Sequence, residues 1–575
     1  MLPDKGDTMK SGAIMLASLA QCFFAGWRFK QNLSRREISQ ATWPSSPPAS
    51  GPSRGPAPEY RFTISRETTY VTSPLRADGS VDYVKALNDE LSRGVTEKNN
   101  AAIPIIVAIG PNGGIGEKNR VMKVLKELHL EDLPEEGDYL IDINEYTRKI
   151  PYSQPNSLKD RRGTGKNNWP PTEPINASED PDLAAFLEIN RKPLDAIVAA
   201  TSLERFYIPV VRGDEPDDTM QQNVFLLRGA ARVLAARAMM RAGEGDYEGA
   251  CQDLLAVHRL ARLIIQRPTM MDNLIVIAIE TMSSYLESGI IAAGVWNQQQ
   301  LADYLTQLQS LPELKFDLGV YDRDVRYWAL DTMSFIARNG WDVWAKLYPE
   351  SYPKLGHIDM DFDELLRLEN EMIDGLVVIL KEPSLPRRKA ACEGFERSLF
   401  TYAETKTPAS SPYDDYLDAF GLRKAFGLLQ ANPHADPKGK ARIMFESWNG
   451  SPYRIVELVE GAAMYSRLVK VALALEIYKA RHGRYPDKLD VLAPGIIKSI
   501  PQDAFIEQPL KYVLLGGGVG YRLYSVGANM KDEGARDRYA DGDDIVINGG
   551  SAATQPVTTR PATRPAESAT PAPAK

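Results

Sequence analysis

The chain has 575 residues, of which 43% are hydrophobic and 25% are charged, and its formal net charge is −8. This composition is typical of a globular chain of roughly two or three domains and excludes a mostly disordered or membrane-embedded protein. The negative charge gives no electrostatic basis for binding nucleic acid. With three cysteines the chain cannot form a disulfide framework, and it lacks the C-x-x-C and H-E-x-x-H spacings of zinc sites.

An apolar run from Ala13 to Trp27, with basic residues on both sides, predicts an export signal or a membrane anchor. The run has 15 residues, fewer than the about 20 that a membrane span needs. Residues 1–30 therefore predict a cleaved signal peptide or a short uncleaved anchor. Either would place the protein in the cell envelope, outside the cytoplasm, as a membrane-anchored or secreted protein. A lipoprotein and a buried cytoplasmic helix are the remaining alternatives.

Three segments are predicted to lie outside the folded parts of the chain. Residues 31–59 are rich in proline, serine and glycine, and residues 550–575 are rich in proline, threonine and alanine. Such compositions bury too little apolar surface to fold, so they predict a linker and a disordered tail. Residues 401–444 have weak periodicity and predict a linker between a helical body at 60–400 and a C-terminal domain at 445–549.

Apolar periodicity predicts that the body is mainly α-helical. Apolar residues between Leu227 and Ala238 recur at helical spacing, residues 243–246 interrupt the pattern, and a second stripe runs from Ala250 to Ile264. Two amphipathic helices joined by a short break form a hairpin. Further helices are predicted at three places: Val81–Leu91, Asn297–Leu308 and Asp361–Leu380.

The string from Gly245 to Ala250 is similar to the start of the second helix in a tetratricopeptide repeat. No second copy follows at the repeat period of about 34 residues. The sequence therefore predicts an irregular stack of helical hairpins, partly tetratricopeptide-like, rather than a regular solenoid.

The C-terminal region has the order helix, loop, β-hairpin and acidic loop. An apolar stripe from Met464 to Tyr478 predicts a long helix, and Gly483 lies where a left-handed cap is needed. Leu510–Leu515 and Tyr521–Val526 have the composition of strands, and the glycines at 516–518 form the turn between them. This order predicts a small α+β domain.

Several motifs in this region resemble the globular core of the type II secretion major pseudopilin. They occur in the family's order: G-R-Y-P at 483–486, L-x-x-L at 489–492, P-x-D-x-F at 501–505, Tyr512, and Y-S-V-G-A-N at 524–529. The resemblance spans Phe445 to Asn548, although Ala504 replaces the family's usual proline. The family's prepilin cleavage site and its long apolar assembly helix do not precede this core. The resemblance thus implies the pseudopilin fold but not a pilus subunit.

A second resemblance covers Thr72 to Asn100. Its short motifs include D-G at 78–79, V-D-Y-V at 81–84 and L-S-x-G-V-T at 91–96. They look like the start of a poorly characterised family of bacterial envelope proteins that also end in a pseudopilin-like segment. That resemblance implies an envelope location and an architecture, but no chemistry.

The acidic loop is the best candidate for a metal site. Six carboxylates lie between Asn529 and Asp544: Asp532, Glu533, Asp537, Asp541, Asp543 and Asp544. Calcium takes six to eight oxygen ligands, and crowded carboxylates repel one another unless a cation or water separates them. Pseudopilins bind calcium in the corresponding loop, so the resemblance implies calcium here. The predicted ligands are Asn529, Asp532, Asp541, Asp543 and Asp544; the alternative is a solvated acidic loop balanced by nearby basic residues.

Two further candidates have weaker patterns. The glycine-rich segment 103–119 departs from the phosphate-binding loop because Glu117 precedes Lys118 and Asn119 follows it, which argues against nucleotide binding. Six arginines on the hairpin could receive an acidic partner or form a solvated face diluted by acidic residues: Arg228, Arg232, Arg237, Arg241, Arg259 and Arg262.

The sequence contains no recognisable catalytic motif. It lacks the G-x-S-x-G elbow of serine hydrolases, Cys251 lies beside a helical stripe as packing material, and the five histidines are scattered. Helical stacks present concave surfaces to partners. We therefore expect a non-catalytic binding or scaffolding protein with a protein partner. An extracytoplasmic enzyme with an unrecognised site in the helical body is the alternative.

Overall fold

A computed structural model describes residues 62–111, 118–130, 133–149, 169–212, 224–267, 269–314, 319–340, 361–400, 452–536 and 542–550. The predicted signal or anchor, both linkers and all but the first residue of the tail lie outside the described residues. Those assignments therefore stay predictions.

The described residues are mainly α-helical, with small antiparallel sheets near the C-terminus, which confirms the predicted class at this level. The helices are α1 Tyr83–Leu91, α2 Ala102–Ile109, α3 Lys118–Glu127, α4 Ile143–Lys149, α5 Pro181–Ile189, α6 Arg191–Ala200, α7 Val224–Glu244, α8 Tyr247–Ile264, α9 Met270–Ala293, α10 Gln298–Ser310, α11 Arg326–Asn339, α12 Phe362–Leu380, α13 Leu385–Phe400 and α14 Pro452–His482. A π-helical turn, Val320–Val325, leads directly into α11.

The helix ends predicted from sequence are formed by local hydrogen bonds. Asn297 and Gln300 make a reciprocal capping box at the start of α10. The Asp361 side chain accepts a hydrogen bond from the Glu364 amide and starts α12. Gly483 ends α14 with a φ of 76°, a conformation that glycine adopts without steric cost. These positions confirm the predicted boundaries.

The α7–α8 hairpin forms where the sequence predicts it. Gly245, with a φ of 79°, makes the turn, and the Asp246 side chain caps α8 by accepting from the Gly249 amide. The helices α7 and α8 pack along each other and against α9. Their apolar stripes are buried in two hydrophobic clusters that meet at this hairpin.

Helix α9 is the central helix of the body. It contacts α7, α8 and α14, and most of its residues are buried. Within the described residues it is the one helix long and apolar enough, by length and composition, to cross a membrane, and most of that apolar window is buried inside the protein. Core helices of globular proteins have the same property, so α9 is weak evidence for a membrane span.

The C-terminal strands are β1 Gln502–Asp503, β2 Gln508–Pro509, β3 Lys511–Leu515, β4 Gly520–Ser525 and β5 Ile545–Gly550. Strands β1 and β2 pair with each other, and β3, β4 and β5 form an antiparallel sheet in that order. The β3–β4 hairpin was predicted, whereas β5 was not. It follows the acidic loop and ends in glycines, so its pairing with β4 depends on tertiary structure.

Asp503 joins the small hairpin to the end of β4. Its buried carboxylate accepts hydrogen bonds from the Phe505 amide at 3.0 Å, the Ser525 hydroxyl at 2.9 Å and the Val526 amide at 2.8 Å. These bonds fix the start of the loop that leaves β4.

The C-terminal elements share a hydrophobic core with the body. Helix α14 packs against α9 and α10 and also contacts β4 and β5. Most of its buried apolar residues from Val456 to Ile477 belong to one continuous cluster with residues of α8, α9 and α10; Val459 and Ala462 pack in a smaller cluster with Ile277 of α9. The predicted boundary within residues 401–444 therefore does not separate two hydrophobic cores, and a fragment of residues 445–549 would expose the α14 face that the body covers.

Candidate cation site

The candidate site lies in the connection between β4 and β5. This loop turns back sharply at residues with positive φ, Gly527 at 70°, Met530 at 61°, Gly534 at 75° and Ala535 at 63°. A Cβ atom on Gly527 would lie 2.2 Å from the Asp543 carbonyl oxygen, so glycine is required where the two ends of the loop meet. The close approach brings Asn529 and Glu533 beside Asp543 and Asp544.

Three carboxylates of the described residues form one group. The side chains of Glu533, Asp543 and Asp544 each place an oxygen within 4.8 Å of the others. The Asn529 amide donates to Asp543 Oδ2 at 2.9 Å, and its side chain donates to Glu533 Oε1 at 2.5 Å. The Arg536 amide donates to Asp544 Oδ2 at 3.1 Å. The loop backbone thus holds the carboxylates together.

Burial makes this grouping costly without a counter-charge. Asp544 is 3% exposed. Burial and the neighbouring Glu533 carboxylate raise the pKa of Asp544 to about 7. Within the described part of the chain, Asp544 Oδ1 and Glu533 Oε2 are buried without a hydrogen-bond partner. A bound cation would satisfy both oxygens and offset the repulsion between the carboxylates.

The structure groups some of the predicted ligands and separates others. Asn529, Asp543 and Asp544 come together, and Glu533, which was not among the predicted ligands, completes the group. Asp541 lies outside the described residues. Sequence spacing gave no basis for choosing Glu533 over its neighbour Asp532, because the left-handed residues on either side of the pair, Met530 and Gly534, set the direction of each side chain.

Asp532 lies in the same loop but makes other contacts. Its carboxylate accepts a hydrogen bond from the Tyr524 hydroxyl at 3.1 Å and one from the Gly534 amide at 2.9 Å. Lys511 Nζ on β3 lies 3.2 Å from its Oδ2. These partners compensate the charge of Asp532, so it is not one of the grouped carboxylates.

The donor set of the grouped residues fits a hard cation. It contains carboxylate oxygens, with no histidine nitrogen or cysteine sulfur, and Asn529 supports it as a hydrogen-bond donor to Glu533. Calcium prefers oxygen ligands of this kind in irregular loops. Glu533, Asp543 and Asp544 would supply the charge, and nearby backbone carbonyls and water would complete the coordination.

A second set of titratable groups lies inside the helical body. His258 on α8 places Nδ1 2.9 Å from Glu280 Oε2 and Nε2 3.0 Å from Glu287 Oε1 on α9. Arg262 donates to Glu280 at 3.1 Å, and the Tyr304 hydroxyl on α10 donates to Glu287. His258, both glutamates and Tyr304 are each at most 2% exposed, so solvent and substrates have no direct access to them.

The arginines of the hairpin do not form an open receptor surface. Arg237 and Arg241 make ion pairs with the buried Asp253 carboxylate, and Arg262 pairs with Glu280. Arg232 donates to the Trp169 carbonyl oxygen at 2.6 Å. Most of the arginines that the sequence suggested for an acidic partner therefore already have partners within the protein.

The glycine-rich segment does not follow a strand. Its apolar run lies in helix α2, which ends at Ile109 before Gly110. A phosphate-binding loop connects a strand to a helix, so this arrangement agrees with the sequence argument against nucleotide binding. Comparisons with protein-family models, curated proteins and solved structures find no match to this chain.

Proposed function

We propose that this protein is an envelope-anchored, non-catalytic binding or scaffolding protein whose pseudopilin-like C-terminal part binds calcium. The observation that carries the proposal is the group formed by Glu533, Asp543 and Asp544, in which a nearly fully buried carboxylate has an oxygen without a partner. The helix, hairpin and acidic loop occur in the order that the pseudopilin resemblance implies.

The arrangement of the body supports a binding role. The polar cluster around His258 in its described helices is enclosed, and its charges compensate one another. The turn at Gly245 lies where the sequence resembles a tetratricopeptide repeat, and hairpin stacks of that kind bind other proteins through their concave surfaces. A protein partner, held near the membrane through the N-terminus, is the partner we propose.

An extracytoplasmic enzyme is the second candidate. Its supporting observation is the convergence of His258, two glutamates and Tyr304, because catalytic sites also gather titratable groups with shifted pKa values. An enzyme of this kind would have to open the packing of α8, α9 and α10 to admit a substrate, since these side chains are buried. Capture of a defined protein by the full chain from detergent-solubilised membranes would support the scaffold. Turnover of a substrate that is lost in a His258→Gln variant with native folding would support the enzyme.

The location is tested with a reporter fused after Lys575. The apolar run from Ala13 to Trp27 predicts export of everything that follows it. We expect a fused alkaline phosphatase, which is active only after export, to be active. A variant with two arginines in place of Leu16 and Leu19 is the control, since it should lose export. Activity of a reporter that works only in the cytoplasm would contradict the proposed location.

Calcium is expected to stabilise the full-length protein. A ligand at a hundredfold excess over its dissociation constant adds about 2.7 kcal/mol to the free energy of unfolding if it binds only the folded state. Because α14 shares its core with the body, this energy acts on a large cooperative unit, and a shift of only a few degrees in the melting midpoint is expected. Thermal unfolding with calcium and with a chelator measures it.

A matched pair of variants locates the site. Asp544→Asn keeps the shape of the side chain and removes a charge from the group, so the chelated protein should be no less stable while the calcium effect is lost. Asp532→Asn, in the same loop but bound to Lys511 and Tyr524, should keep the calcium effect. An unchanged calcium effect in Asp544→Asn, or none in the unaltered protein, would contradict the site.

The calcium effect should also depend on pH. Since the pKa of Asp544 is raised to about 7, protons compete with calcium for its carboxylate below that pH. In the chelated protein the raised pKa lowers stability as pH rises from about 4 to about 7, because the unfolded state releases this proton first. Calcium stabilisation is therefore expected to be larger at pH 8 than at pH 6.

A further inference from the structure

A second polar cluster lies where the start of α9 meets the π-helical turn. It contains Arg267, Asp272, Asn273 and Asp324, which are 4%, 0%, 0% and 3% exposed. These residues lie away from the cation site and from the network around His258. Three of them precede or begin α9, and Asp324 comes from the π-helical turn. Such turns within helices often occur at functional sites.

Hydrogen bonds and one ion pair hold these side chains at the start of α9. Asp324 Oδ2 accepts from the Met270 amide at 2.7 Å, so the carboxylate of the π-helical turn caps α9. The Thr269 hydroxyl donates to Asp272 Oδ2 at 2.6 Å. Arg267 Nε lies 3.5 Å from the same Asp272 oxygen, which directs the guanidinium at the cluster. The Asn273 side chain donates to the Thr269 carbonyl oxygen at 2.9 Å. The four residues of the cluster thus gather where the first turn of α9 contacts the π-helical turn.

Each of the four buried side chains also has at least one polar atom that takes part in none of these hydrogen bonds. Among the described residues, Arg267 Nε and Nη1 are buried donors without a hydrogen-bond partner, and Asp272 Oδ1, Asn273 Oδ1 and Asp324 Oδ1 are buried acceptors without one. Buried polar groups in folded proteins are nearly always paired, because an unpaired group carries its full desolvation cost. Five such atoms in one cluster indicate a bound species.

The pattern of donors and acceptors selects the kind of species. An anion would be repelled by Asp272 and Asp324. A metal cation could bind the three acceptors but cannot accept hydrogen bonds from Arg267. Water both donates and accepts, and enclosed water molecules typically bond to about three otherwise unpaired polar groups. We propose that this cluster is an enclosed hydration site, in which bound water bridges Arg267 to Asp272, Asn273 and Asp324 and ties the π-helical turn to α9.

The electrostatics of the cluster agree with a neutral occupant. Burial and the neighbouring Asp272 raise the pKa of Asp324 to about 7, and burial also raises the pKa of Asp272. Arg267 offsets part of the remaining negative charge. The cluster therefore has little net charge for a cation to neutralise.

Crystals of the full-length protein grown in sodium chloride and in rubidium chloride test the site. We expect electron density for water within hydrogen-bond distance of Arg267 and at least one carboxylate, and no anomalous scattering peak from rubidium. An anomalous peak would overturn the proposal in favour of a cation. Direct pairing of the side chains, with no density between them, would overturn it in favour of a dry cluster.

A pair of variants tests the same proposal by stability. Asp324→Asn retains an oxygen for the Met270 amide and a polar group for water, so its unfolding midpoint should stay close to that of the unaltered protein. Asp324→Leu has a similar volume but removes both interactions, so its midpoint should fall clearly. Equal midpoints for the two variants would contradict a hydrated site, since an apolar side chain would then be as well accommodated as a polar one.

Discussion

Replacing Asp253 by alanine is expected to lower the free energy of unfolding by about 3 to 5 kcal/mol, the usual cost of removing one partner from a buried ion pair. The Asp253 carboxylate is fully buried. It accepts bonds from Arg237 Nη2 at 2.7 Å and Nε at 2.9 Å, and from Arg241 Nη1 at 2.9 Å. Without it, Arg237, which is 5% exposed, would keep Asp195 as its carboxylate partner among the described residues.

Asp195→Ala is the matched control. Asp195 also accepts from Arg237, at 2.7 Å, but its side chain is 58% exposed. An exposed pair contributes about 0 to 1 kcal/mol because water screens it and replaces the lost bond. Urea unfolding of both variants, followed by circular dichroism, measures the difference. Equal losses for the two variants would contradict the dominant role of burial at this hairpin.

Local patterns in the sequence predicted much of the helical architecture. The stripes around Gly245, the cap at Asn297 and the cap at Gly483 depend on residues three or four positions apart, and these interactions formed as expected. The packing of α14 on α9 could not be predicted in this way. It joins residues far apart in the chain, and an apolar stripe does not specify which surface covers it.

The buried polar clusters also depend on contacts between residues far apart in the chain, so local patterns did not predict them. In the sequence Glu280 and Glu287 are two isolated charges in an apolar run, and His258 is one of five scattered histidines. Their spacing of seven residues places the two glutamates on one face of α9, but only the packing of α8 against that face brings His258 between them. Likewise, Asp253 is in the sequence only one of several acidic residues near the hairpin arginines, whereas in the structure it is the buried partner of Arg237 and Arg241.

At the cation site the sequence predicted the loop but only part of the ligand set. A local excess of acidic residues identifies a region where charge must be offset, and Asn529, Asp543 and Asp544 do come together there. The choice between Asp532 and Glu533 depends on the positive φ values at Met530 and Gly534 and on Lys511 from β3. Neither the backbone conformation of this loop nor its contact with β3 can be predicted from the spacing of the acidic residues.

The network around His258 is expected to make the protein less stable as pH rises above neutrality. Burial by itself would lower the pKa of His258, but the carboxylates of Glu280 and Glu287 outweigh burial and raise it to about 9. The same contacts, with Arg262, hold the pKa of Glu280 well below its usual range although burial opposes this. At neutral pH the cluster is therefore a protonated imidazole between two glutamates.

The direction of this pH dependence follows from the number of protons that the folded and unfolded states bind. Unfolded histidine has a pKa of about 6.5, so below that pH both states are protonated and the network contributes its full stability. Between about pH 6.5 and 9 only the folded state holds the proton, and stability falls by at most about 1.4 kcal/mol per pH unit. Above about pH 9 the contribution is lost.

His258→Gln should remove this pH dependence and lower the free energy of unfolding at pH 6 by about 3 kcal/mol. The amide supplies no charge, and its single nitrogen cannot take the places of both ring nitrogens. The control is His482→Gln, at an exposed histidine that stacks on Tyr478. That variant should keep both the stability and its decline with pH. Urea unfolding from pH 6 to pH 9.5 measures all three proteins. If the stability of His258→Gln falls with pH as much as that of the unaltered protein, protonation of this imidazole is not the cause of the pH dependence.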